Sequence, residues 1–96
     1  MSPINKKKLL VIRIKLDKLD NELLKLIKKR SNLVNEVLEV KIHRKEIIDQ
    51  KRIKFILKKI KNKSMQLNID PKITNRIWKN MIWSFIDYEK RNFKKK

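Results

Sequence analysis

Two cations stand where a helical sequence would normally place leucine. From Ile12 a 4-3 spacing runs through Leu16, Leu19, Leu23, Leu26, Arg30, Leu33, Val37 and Val40, about four heptads of seam interrupted by one guanidinium. An Arg there is costly to bury unless an anion meets it. Lys41 follows 11 residues later, three helical turns on and within about 20° of the same face. Arg13 lies 17 residues before Arg30 and about 100° round the helix, so it reaches that face only from a partner's helix. Arg52 falls near the start of a later helix, at the same end as Lys41. A buried set of Arg and Lys in a helical dimer predicts a compact dianion as ligand, because the guanidinium fork matches a carboxylate bidentately. The plainer reading is a set of salt-bridged seam residues. Glu36 and Glu39 point off the seam, however, and cannot pair with both cations.

The remaining inventory closes most other routes to chemistry. There is no Cys among the 96 residues, which excludes thiolate nucleophiles, thiolate zinc sites and disulfides. There is no Gly, which excludes glycine-rich phosphate loops. His43 is the single His and lies in a basic stretch, so it is expected to be exposed and non-catalytic. Ser2, Ser31, Ser64 and Ser84 have no His at helical spacing, and the scattered carboxylates argue against a metal. No metal and no cofactor is expected. The net charge of +18 invites a nucleic-acid reading, but the 28 basic residues include only 6 Arg. With 22 Lys, 15 Ile and 9 Asn but no Ala, the composition resembles that of an AT-biased coding sequence. Nucleic-acid binding is therefore not expected. The charge would still draw in a small polyanionic substrate.

These residues must be positioned by helices. An all-α, three-helix protomer is predicted, with a first helix from about residue 4 to 42. Such a rod is nearly 60 Å long, more than so short a chain can bury, and an intertwined homodimer is expected. His43-Arg44-Lys45 reads as a polar connection. A second helix from about Ile47 to Lys63 carries Ile48, Phe55, Ile56 and Ile60 as its apolar stripe, and residues 62–68 loosen into a turn. Asp70-Pro71 starts a third helix to about Asn92 that buries Ile73, Ile77, Met81, Phe85 and Tyr88, with Trp78 and Trp83 flanking as packing residues. The whole chain, 1–96, reads as one domain with its core at about 9–90 and a basic tail at 91–96, whose Lys94-Lys95-Lys96 end is expected to be frayed and solvated. Leu9-Leu10-Val11-Ile12 is far shorter than the roughly 20 residues of a membrane span, and no secretory signal is legible, so a cytoplasmic protein is expected.

From about Leu9 to Glu89 the chain resembles the all-helical (type II) chorismate mutases. Arg13, then Leu16-Asp17-Lys18-Leu19-Asp20-Asn21-Glu22-Leu23-Leu24-Lys25-Leu26-Ile27, then Arg30 is similar to the family's first helix, and Val37 and Lys41 continue it. Asp49 and Arg52 resemble its acidic-then-Arg start of helix two, and Leu67-Asn68-Ile69-Asp70-Pro71 its turn into helix three. The resemblance implies an intertwined dimer in which Arg13 of one subunit joins Arg30, Lys41 and Arg52 of the other. There they would hold the two carboxylates and the ether oxygen of chorismate as it rearranges to prephenate, in the biosynthesis of Phe and Tyr. That unimolecular step needs no cofactor; it needs a held conformer and stabilisation of charge growing on the ether oxygen.

Three positions depart from the mutase pattern. The residue after Arg52, usually a Glu that contacts the ring hydroxyl, is Ile53; the supporting Ser of helix three is Phe85; the Gln that donates to the ether oxygen is Glu89. The connection from Lys41 to Arg52 is also one residue shorter. Ile53, Phe85 and the short connection resemble a sister activity, isochorismate-pyruvate lyase, which makes salicylate on the same scaffold. The lyase normally keeps the Gln, whereas some mutases carry Glu at that position. Only a protonated Glu89 could donate to the oxyanion, so turnover is expected to fall as this carboxyl ionises. A non-catalytic basic helical binding protein is the third reading.

Overall fold

The computed structural model describes residues 2–95. Three helices follow one another: α1 (Pro3–Val40), α2 (Gln50–Gln66) and α3 (Pro71–Asn92), with one 3-10 turn, Arg44–Glu46, between α1 and α2. By contact the chain divides into two units, Met1–Leu33 and Val34–Lys96.

Each helix boundary has a local cause. Ser2 Oγ accepts from the Asn5 amide at 3.2 Å ahead of Pro3, whose missing N–H costs nothing at a first helical position. With no Gly and no further Pro to interrupt it, α1 runs for 38 residues. It ends two residues before the expected limit. Asp49 caps α2 by accepting from the Arg52 amide at 3.0 Å, so α2 starts at Gln50 rather than at Ile47. It also continues to Gln66, past the expected end at Lys63. Termination falls to Asn68, the only described residue other than glycine with positive φ, at 57°. The Ile69 amide bonds the Ser64 carbonyl at 2.8 Å and the Asn68 amide bonds that of Met65 at 3.2 Å, the paired bonds of a Schellman motif. In a chain without Gly, Asn is the residue that tolerates the left-handed position. Asp70 then accepts from the Lys72 amide at 2.9 Å, with Pro71 as the first residue of α3.

In the first unit α1 has no buried residue, and its seam leucines are exposed. In the second unit α2 packs on α3. Its centre is Ile47, Ile82 and Ile86, with Ile48, Ile53, Ile56, Leu57 and Phe93 against them. Two predicted stripes need correction. Phe55 is exposed, because at 100° per residue it lies about 200° round the helix from Ile53, opposite the α2 face that packs. On α3 the buried residues are Thr74, Ile82, Ile86 and Glu89, whereas Ile73 and Ile77 are exposed. The packed arc is displaced by one residue, about 100°, from the expected one. Met81, Phe85 and Tyr88 lie at its edge, half-buried, as does Trp78; Trp83 is exposed.

At the turn end, Ser64 Oγ and Thr74 Oγ1 lie 2.7 Å apart in a buried pair, and Ser64 also donates to the Ile60 carbonyl at 2.6 Å. Thr74→Val is isosteric but removes the hydroxyl that pairs with Ser64. It is expected to lower stability by about 1 kcal/mol, read from the midpoint of chemical unfolding. An unchanged midpoint would show that the pair contributes nothing.

Candidate active site

Lys41 is the first residue beyond α1, and its amide still bonds the Val37 carbonyl at 3.2 Å, so the helix delivers its side chain. Lys41 Nζ donates to Glu89 Oε1 at 2.9 Å, with only 18% and 7% of the two side chains exposed. Glu89 is therefore a buried carboxylate near the end of α3 with a cation on one oxygen. A pair this dry is costly to assemble from water, and taking away one partner leaves the other charge stranded. The structure joins these two candidate residues directly by their side chains.

The others are placed as follows. Asp49 is exposed and its carboxylate caps α2, which gives it a structural task. Arg52, in the first turn of α2, is exposed with its guanidinium 5.5 Å from the centroid of the Phe55 ring, a cation–π arrangement. Ile53 packs against the α2–α3 core, and Phe85 is half-buried. Arg13 and Arg30 belong to the first unit, where Arg13 is exposed and Arg30 is half-buried.

The loop after Lys41 holds residues that sequence reading passed over. Glu46 Oε2 accepts from the amides of Ile42 and His43 at 2.8 and 3.3 Å. An acid three residues after His43, closing a 3-10 turn, was the available signal. Arg44 donates to the Lys90 carbonyl at 3.1 Å, tying this loop to the end of α3. Lys95, expected to be frayed and solvated, is exposed and donates to the carbonyls of Glu39 and Lys41. The last carbonyls of α1 lack helical partners, and a cation satisfies them. Lys94 is exposed; Lys96 lies outside the described residues.

The bonds from Ile42 and then His43 hold the Glu46 carboxyl below its ordinary value of 4.5. A carboxyl with a depressed folded-state value stabilises the protein above the unfolded-state value, and that contribution is lost as pH falls through the folded one. The stability gap between wild type and Glu46→Gln is therefore expected to be full at neutral pH. It should close as the solution is acidified below about 4.5, followed by thermal unfolding at stepped pH. A gap independent of pH would remove the carboxylate's charge from the explanation.

Residues 12–90 match the sequence profile of the family described as chorismate mutase type II. The chain belongs to the type II chorismate mutase family. It is 37% identical over 76 residues to a chorismate mutase of Methanocaldococcus jannaschii, an alignment covering 78% of this chain and 77% of that protein. No solved structure matches. The family match spans Arg13, Arg30, Lys41, Asp49, Arg52, Ile53, Phe85 and Glu89.

Proposed function

We propose that this chain is a chorismate mutase, converting chorismate to prephenate within a homodimer that builds two equivalent pockets. The observation that carries the site is the buried Lys41–Glu89 pair in a chain of this family. In the reaction the ether C–O bond breaks as a C–C bond forms, with no atom gained or lost. Lys41 would stabilise the charge that builds on the ether oxygen. Arg30 and Arg52, with Arg13 from the partner, would grip the two carboxylates and keep the chair-like conformer. The exposed seam on α1 supports the dimer: Ile12, Leu16, Leu19, Leu23, Leu26, Leu33, Val37 and Val40 form an apolar stripe that water disfavours. Asp49 would serve the pocket indirectly, by fixing the first turn of α2 that carries Arg52.

Ile53 favours a second reading, isochorismate-pyruvate lyase. Its side chain is committed to the α2–α3 core, so it offers no polar contact for a ring hydroxyl. One assay separates the two readings. Purified protein is given chorismate and isochorismate in parallel, and prephenate is scored against salicylate plus pyruvate. Prephenate is expected. Salicylate would move the chain to the lyase. Neither product, at enzyme concentrations near the substrate's, would leave a non-catalytic binding protein.

A further inference from the structure

Lys41 is fixed through its backbone as well as through Glu89. On its N-terminal side, Lys95 Nζ donates to the Glu39 carbonyl, and the same ammonium donates at 3.1 Å to the carbonyl of Lys41 itself. On its C-terminal side, the next two amides, Ile42 and His43, donate to the one oxygen Glu46 Oε2. Lys95 is brought there by the segment leaving α3, because Phe93 packs against the core of Ile47, Ile82 and Ile86. That same core anchors the loop that carries Glu46, through Ile47. The two polar clamps thus share one apolar foundation.

We propose that Lys95 and Glu46 are positioning residues for Lys41, gripping the chain on either side of it so that its ammonium is held where the substrate needs it. This inference rests on the mutase reading. Beyond the end of a helix a lysine stem has many rotamers, and the reaction tolerates few of them; locking the backbone from which the stem springs removes much of that freedom before substrate arrives. An ordinary helix cap would use one of these contacts. Two clamps of opposite charge, one on carbonyls and one on amides, both flanking the same buried cation, point to placement of that cation.

The test uses the full chain with Lys95→Ala, Lys95→Arg, Lys41→Gln and the Lys95→Ala/Lys41→Gln double variant. Lys95→Ala is expected to lower kcat about tenfold with a smaller change in KM, and Lys95→Arg to recover most of the loss. In the Lys41→Gln background Lys95→Ala should cost no further activity, because the two act as one unit. Hydrogen exchange at the Ile42 and His43 amides, which needs no turnover, is expected to quicken in Lys95→Ala and in Glu46→Gln. Equal losses from Lys95→Ala in both backgrounds, or unchanged kinetics and exchange in Lys95→Ala, would overturn the clamp. A wild-type protein inert toward chorismate would instead overturn the mutase reading, with exchange still deciding whether the clamp exists.

Discussion

Arg30→Ala is expected to lower kcat/KM for chorismate by on the order of 10³, with the helical signal and the oligomeric state retained. The size follows from what is lost. Arg30 interrupts a run of apolar seam residues and is half-buried, so a substrate carboxylate reaching its guanidinium would face weakened competition from water. A fork gripping a carboxylate also fixes orientation, and misorientation is the main thing a unimolecular rearrangement must overcome. Arg30→Lys keeps the charge but loses the fork, and should fall between Ala and wild type. Rate measurements at saturating and at low chorismate separate the two contributions: loss of grip alone raises KM, while loss of transition-state stabilisation lowers kcat as well. Activity of Arg30→Ala within tenfold of wild type would put the pocket elsewhere.

The helices and their order were legible in the sequence because the apolar period is long and no glycine interrupts it. The turn into α3 was legible because Asp70-Pro71 has few other uses. The Lys41–Glu89 ion pair was not predicted as such. The residues lie 48 positions apart, and although both were singled out, nothing in the spacing shows that their side chains meet at 2.9 Å. The buried faces of α2 and α3 were harder to read for a different reason. Ile is so frequent that both helices carry apolar residues on more than one side, and pattern alone does not say which side faces the neighbour. Phe55, Ile73 and Ile77 were assigned inward on that pattern, and the packing leaves all three exposed. Lys95 is exposed, but its partners were not legible, because a run of lysines ordinarily marks solvated chain; the carbonyls at the end of α1 give its ammonium a specific contact. Asp49 shows a residue with two readings, where the local one, capping α2, is the one its geometry satisfies.

Glu89→Gln is expected to change the shape of the pH–rate profile rather than only its height. Glu89 is 6% exposed and already engages Lys41 through Oε1. In the proposed pocket an ionised Glu89 would oppose catalysis, because its charge would repel the negative charge growing on the ether oxygen. A protonated Glu89 would instead donate a hydrogen bond there. Wild-type kcat/KM should therefore fall relative to that of Glu89→Gln as pH rises. A Gln amide donates at every pH, so the variant should be flat over the same range and faster than wild type at its alkaline end. The amide oxygen can still accept from Lys41 Nζ, so the variant is expected to lose only about 1–3 kcal/mol of stability and to remain folded for the comparison. Profiles measured side by side over the pH range in which both proteins stay folded decide the matter. If the two curves run parallel, the proton on Glu89 takes no part in the rearrangement, and the buried pair serves only to hold Lys41 in place.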